Sequence, residues 1–161
     1  MTQPAHERLV RHWTEGGLKT SQGCPADGAR EFEVKNSLIL PEDLRVYFLR
    51  VNGMLPDALE DSDLNGFCFW PLERVKSVTE EIVRHSLRIR QSAEDHQYFV
   101  FADYMQWSWA YAIRLTDSAD GPNPVIHVGT LEAKVVANSF THFVDLYLRD
   151  AEELYPVRLP S

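Results

Sequence analysis

Acidic side chains are concentrated in one short segment of the sequence, from Pro56 to Asp63. Paired carboxylates can bind a cation or exchange a proton, provided that a fixed apolar cleft surrounds them. The spacing here is not that of a calcium-binding loop, so a solvated acidic loop is the simplest interpretation. The alternative is a docking surface, since an acidic patch accelerates association with a cationic protein. The carboxylates of this segment are Asp57, Glu60, Asp61 and Asp63.

Aromatic residues form a second candidate site, because Tyr104, Trp107 and Trp109 lie within six residues together with Met105. They connect two apolar segments that we interpret as the strands of a hairpin. At least two of these side chains should point into the core. Those that stay exposed would anchor a protein partner, because Trp and Tyr contribute much of the binding energy of interfaces. We therefore predict partner contacts at Tyr104, Met105 and Trp107.

Residue spacing gives no support to metal or cofactor chemistry. The six histidines form no HxH, HExxH or Cys/His pattern, so no metal site is predicted. The sequence holds no GxSxG elbow, P-loop or GxGxxG motif, and no nucleotide cofactor is expected. His127 alternates with apolar residues, which favours a hydrogen-bonded histidine in a sheet. An enzyme would need a site assembled from scattered polar residues such as Asp103, His127 and His142.

The two cysteines are far apart and share no CxxC spacing. Cys68 lies in the apolar segment Gly66–Trp70, which predicts a small buried thiol. Cys24 lies between Gly23 and Pro25, which predicts an exposed thiol in a loop. Nothing in this pattern requires an oxidising compartment.

The overall charge restricts the class of partner. The 161 residues include 24 acidic and 16 basic ones, a formal net charge of −8. Residues 37–81 hold nine acidic and four basic residues, so −5 of that charge falls in this part of the chain. Direct nucleic-acid binding needs clustered Lys and Arg and is not expected. The N-terminus resembles no secretory signal, and no apolar run approaches the roughly 18 residues of a membrane span, so we expect a cytoplasmic protein.

Apolar periodicity predicts helices first, then strands, then a final helix. Predicted helices cover Ala5–Glu15, Pro41–Val51 and residues 140–148, the last capped by Asn138 and Ser139. Residues 72–90 are predicted to combine a turn with a helix whose inner face includes Val78 and Ile82. Predicted strands are Gly66–Trp70, Gln97–Ala102, Trp109–Leu115, Pro124–Gly129 and Lys134–Ala137. A loop is expected from Lys19 to Arg30. This order is typical of an α+β domain with a mostly antiparallel sheet flanked by helices.

We expect one folded domain over residues 36–161, preceded by an N-terminal arm of helix and loop over residues 1–35. Four motifs follow one another in the domain: Leu40-Pro41-Glu42-Asp43-Leu44 with Asn52-Gly53, Phe101-Ala102-Asp103-Tyr104-Met105 with Tyr111-Ala112-Ile113, Pro124-Val125, and Ala137-Asn138-Ser139-Phe140 with Tyr147. Together they resemble the SUKH superfamily, which includes fungal cell-wall synthesis regulators and many bacterial immunity proteins. The resemblance spans roughly Leu38 to Tyr155.

The resemblance implies a single α+β domain with no shared catalytic residues. For a bacterial member it implies an immunity protein, which neutralises a toxin, often a nuclease, by stoichiometric protein–protein contact. A basic toxin domain is then the predicted partner, and we predict no enzyme, no cofactor and no metal. A regulatory interaction module in signalling or cell-wall synthesis is the alternative. The predicted contact residues are Asp57, Glu60, Asp61, Asp63, Tyr104, Met105 and Trp107.

Overall fold

The computed structural model describes residues 3–20, 22–54, 63, 65–85, 92–130 and 134–156. Five α-helices and six strands are present in these ranges. The helices are α1 (Ala5–Glu15), α2 (Ala26–Asn36), α3 (Glu42–Arg50), α4 (Val78–His85) and α5 (Phe140–Leu148). The strands are β1 (Phe67–Phe69), β2 (Lys76–Ser77), β3 (Tyr98–Tyr104), β4 (Trp109–Arg114), β5 (Val125–Val128) and β6 (Val135–Ala137).

All six strands form one antiparallel sheet, which confirms the predicted α+β class. The strand order is β1-β3-β4-β5-β6, and β2 pairs with β3 nearer its beginning. The predicted hairpin of β3 and β4 is the centre of the sheet, with Tyr104 opposite Trp109. A bulge between Val100 and Ala102 shifts the register, so that Phe101 and Ala102 both reach the larger core.

Alternation along the central strands divides the buried side chains into two layers. Tyr111 and Ile113 of β4 pack in the larger hydrophobic cluster, together with α1, α2, α3 and α5. Ala110 and Ala112 lie in the smaller cluster with Val78 of α4. Successive side chains of a strand point to opposite faces, so the sheet is covered by helices on both sides.

Helices α3 and α5 begin at or next to the residues that the sequence predicted, and of the two only α5 has a side-chain cap. Pro41 precedes α3, and the hydroxyl of Ser139 caps α5 by accepting from the backbone nitrogen of His142 at 3.0 Å. Asp43, in the first turn of α3, accepts from the backbone nitrogen and the hydroxyl of Thr141, at 2.9 and 2.8 Å. The contact between Asp43 and Thr141 joins the starting points of the two helices.

The largest difference from the sequence prediction is α2. It begins at Ala26, inside the expected loop from Lys19 to Arg30, and it buries Phe32. The preceding helix α1 buries Leu9 and Trp13 in the larger cluster. The expected division into an arm over residues 1–35 and a domain over residues 36–161 stays a prediction.

Both cysteines are free thiols, and both differ in burial from the prediction. Cys24 is buried, because its backbone nitrogen donates to the oxygen of Phe48 at 2.8 Å and holds it against α3. Cys68 is only half-buried, and it packs against the margin of the smaller cluster.

Gly53→Ala is expected to destabilise the fold. Gly53 has a φ of +80°, and a β-carbon there would lie 2.7 Å from the carbonyl carbon and oxygen of Trp70. The left-handed backbone costs an alanine about 1–2 kcal/mol, and the collision adds to this cost because the atoms of Trp70 belong to the backbone. We expect the free energy of unfolding, measured by urea denaturation, to fall by more than about 2 kcal/mol.

Gly17→Ala is the matched control. Gly17 has a φ of +81°, but no atom lies within 4 Å of the added β-carbon. This variant should lose only the conformational share of about 1–2 kcal/mol. Equal losses in the two variants would show that the close approach to Trp70 is not the cause.

Candidate protein-interaction site

The connection between β3 and β4, residues 105–108, has an uncommon backbone. Met105, Gln106 and Trp107 are all left-handed, with φ of 49°, 54° and 66°. A non-glycine residue costs about 1–2 kcal/mol in this region, so three in succession need compensating contacts. Ser108 supplies two of them: its nitrogen donates to the oxygen of Tyr104 at 2.9 Å, and its hydroxyl donates to the oxygen of Met105 at 2.8 Å.

Asp103 holds this turn from within the core. Its side chain is buried, and its Oδ2 accepts from Nε1 of Trp70 at 2.7 Å. The other carboxylate oxygen accepts from the backbone nitrogen of Trp107 at 3.3 Å. A buried carboxylate is tolerated when it is hydrogen-bonded, so Asp103 ties the backbone of the turn to the fully buried indole of Trp70.

The side chains of the turn divide between core and solvent. Met105 is 56% exposed, among the most exposed large apolar side chains of the described residues. Trp107 is half-buried and packs against the smaller cluster and Gly129. Tyr104 stacks on Trp109 with ring centroids 4.3 Å apart and an interplanar angle of 20°. The turn therefore presents one apolar tip on a base of packed aromatic rings.

Asp63 has a structural function at the end of the acidic segment. Its Oδ1 accepts from the backbone nitrogens of Asn65 and Phe67, at 2.8 and 2.9 Å, and its Oδ2 accepts from the hydroxyl of Tyr147. Burial first, and then the charge of Asp63, raise the pKa of the Tyr147 hydroxyl. The carboxylate thus stabilises the turn that leads into β1 and connects it to α5.

The structure brings Asp63 and the β3–β4 turn together. The backbone nitrogen of Met105 donates to the oxygen of Gly66 at 2.9 Å, and a β-carbon on Gly66 would lie 2.7 Å from Sδ of Met105. The two predicted contact regions therefore adjoin at Asp63, Gly66 and Met105. The other predicted contact residues of the acidic segment, Asp57, Glu60 and Asp61, lie outside the described residues.

Tyr155 completes this surface, and the sequence analysis missed it. Its ring centroid lies 5.7 Å from that of Tyr104 and 6.0 Å from that of Phe67. Its hydroxyl donates to the carboxylate of Asp150. About fifty residues separate Tyr155 from Tyr104 in the chain, so no local pattern indicates the contact.

Two of the polar residues that an enzyme would have needed, Asp103 and His127, do not converge. In the sheet register Asp103 pairs with Ala110, whereas His127 pairs with the next residue, Tyr111, so the two side chains lie on opposite faces. His127 is a buried sheet histidine, as predicted, with Nε2 2.7 Å from the oxygen of Leu154. Its burial lowers its pKa and favours the neutral ring. Within the described ranges, no three His, Cys, Asp or Glu side chains are grouped to hold a metal ion.

The described residues thus form an antiparallel sheet between helices, with a braced, apolar-tipped turn between β3 and β4. Residues 24–146 match the model of the SMI1 / KNR4 family (SUKH-1). The match covers about three quarters of the 161 residues, and the chain belongs to this family. The resemblance predicted from the four motifs is thereby confirmed. No curated protein matches the chain.

Membership in this family supports the predicted function at a coarse level, as an immunity or regulatory module that acts through protein–protein interaction. The family is generally one of non-enzymatic proteins. Among the helices that the structure describes, none is long and apolar enough to cross a membrane.

Asp63→Ala is expected to lower the free energy of unfolding by about 2–3 kcal/mol, because three hydrogen bonds to a carboxylate are lost together. Urea denaturation measures the loss. Asp120→Ala is the control, since its side chain is exposed in a loop, and it should change stability by less than about 0.5 kcal/mol. A loss at Asp63 no larger than that of the control would exclude its structural function.

Proposed function

We propose that this chain is an immunity protein that neutralises a bacterial toxin by stoichiometric contact, and that the β3–β4 turn is part of the contact surface. The observation that carries the proposal is the presentation of Met105. Its side chain is 56% exposed on a backbone of three successive left-handed residues. Strained backbone of this kind persists only where the surrounding structure holds it, and it concentrates at functional sites.

The backbone of the turn is held in place by hydrogen bonds, and this suits a surface that anchors a protein partner. Its backbone is held at Asp103 and at Gly66, so little further ordering is needed when a partner binds. Met is enriched in the cores of interfaces, and its flexible thioether adapts to irregular pockets. The neighbouring rings of Tyr104 and Trp109 extend the apolar area around the tip.

Charge favours a basic partner. The chain carries a net charge of −8, and Asp57, Glu60 and Asp61 shortly precede Asp63 in the sequence. A nuclease toxin needs a positively charged cleft for its own substrate, and this cleft would attract an acidic surface. In this proposal the acidic segment steers the encounter, and the turn makes the close contact.

Met105→Asp should weaken toxin binding about tenfold or more, because it places a charge at the centre of an apolar contact. Calorimetry with the product of the toxin gene next to this one measures the affinity. Val135→Asp is the matched control, since Val135 is 59% exposed on β6. It should leave the affinity and the protection of toxin-expressing cells unchanged.

Two outcomes would contradict the proposal in different ways. Equal effects of the two substitutions would remove the turn from the contact surface. A wild-type chain that neither binds the toxin nor protects cells would exclude the immunity function. Co-purification with several endogenous proteins would then support the regulatory module instead.

Replacement of Asp57, Glu60 and Asp61 by Lys should slow association with the toxin, most strongly at low salt, and change dissociation little. Asp63 is kept, because its loss would affect folding. Stopped-flow fluorescence across a salt series measures both rates. The control carries the same charge change at Glu15, Glu94 and Asp120, all exposed elsewhere. Equal association rates in the variant and the control would exclude steering by this segment.

A further inference from the structure

A groove separate from the β3–β4 turn lies between α2 and residues 72–80. Its volume is about 570 Å³, which is within the range of sites that enclose a small ligand or a few side chains. None of the residues lining it belongs to the turn or to the surface around Asp63. It therefore needs its own explanation.

The floor of the groove is apolar. Phe32, Leu72 and Val75 line it and are buried, as is Cys24 at one side. The ring of Phe32 is fixed by an edge contact with Phe99, with centroids 5.8 Å apart. A rigid apolar floor of this kind suits the aliphatic part of a long side chain.

Carboxylates predominate on the rim. Four acidic residues line the groove, against two lysines, Lys35 and Lys76. Asp27 and Glu31 are four residues apart on α2, so they share one face of the helix. In the part of the chain that the structure describes, Asp27, Glu31 and Glu73 take part in no ion pair. The acidic residues are Asp27, Glu31, Glu73 and Glu80.

A buried amide orients one of these carboxylates. Nδ2 of Asn52 lies 3.3 Å from Oε2 of Glu73, to which it donates, and Oδ1 of Asn52 accepts from the backbone nitrogen of Leu72 at 2.7 Å. Asn52 is itself buried, so this pair of contacts has little freedom. At the side of the groove, burial and then the charge of Glu73 raise the pKa of the Cys24 thiol.

We propose that this groove receives an arginine side chain of a protein partner, with its aliphatic part on Phe32 and Leu72 and its guanidinium on Glu73 and the carboxylates of α2. Arginine fits better than lysine, because its planar donors can serve two carboxylates at once and it is more weakly hydrated. The inference goes beyond the proposed toxin contact at the turn, and it can be tested without the toxin.

Titration with acetyl-Leu-Arg-amide, followed by ¹H–¹⁵N NMR, tests the groove directly. We expect saturable shifts at the amides of Gly28, Glu31 and Glu73, with a Kd of ~1 mM. The isosteric citrulline peptide, which lacks the charge, should bind about fivefold more weakly or not at all. Absence of saturable shifts, or equal binding of the two peptides, would overturn the proposal.

A charge-matched pair of variants locates the site. Asp27→Asn, Glu31→Gln and Glu73→Gln together should weaken peptide binding about fivefold or more, and all three retain a polar side chain of the same size. Glu15→Gln, Glu94→Gln and Asp120→Asn, with the same change of net charge, should not weaken it. Equal losses in the two variants would indicate non-specific attraction. Binding of free arginine as tight as that of the peptide would indicate a small-molecule site, and either result would overturn the inference.

Discussion

The structure depends on one chain of hydrogen bonds that runs from the buried Trp13 of the first helix to the candidate contact surface. Nε1 of Trp13 donates to the hydroxyl of Tyr147 at 3.0 Å, and this hydroxyl donates to the carboxylate of Asp63. Buried polar atoms of this kind are costly when unpaired, so each member fixes the next. Asp63 then holds the turn that ends at Gly66, whose oxygen accepts from Met105. The position of the contact surface therefore depends on the packing of α1 on α5.

The two proposed contact sites lie towards opposite ends of β3. Residues 72–80, one wall of the groove, include Ser77, which pairs with Phe99 near the beginning of the strand, and the turn follows Tyr104 at its end. Five residues of strand separate these points by about 16 Å. Energetic effects at sites so far apart are usually additive, so a loss at one site can be distinguished from a loss at the other.

The apolar pattern of the sequence was sufficient to predict most of the fold. The elements that the prediction missed are stabilised by tertiary contacts, which leave no local pattern in the sequence. The final helix repeats apolar residues at helical spacing, whereas β3 is one continuous apolar run, and this helix and the β3–β4 hairpin were both predicted correctly. Helix α2 buries only Ala29 and Phe32 along its length, so its packing rather than its pattern stabilises it. Pro25 before it and Asp27 in its first turn were the available signals. For the site, the composition of the turn was informative, but no local propensity predicts three successive left-handed residues.

The region that matches the family begins at residue 24, whereas the hydrogen-bonded core begins earlier, at Trp13. Trp13 packs its ring against Phe69, 5.2 Å between centroids, inside the matched region. The hydrogen bond from Trp13 to Tyr147 should therefore link sequence changes in α1 to sequence changes in α5 during evolution. A change at Trp13 removes the donor of Tyr147, so substitutions at these two positions should arise together rather than singly. Relatives that lack an equivalent of α1 should then have a different residue in place of Tyr147.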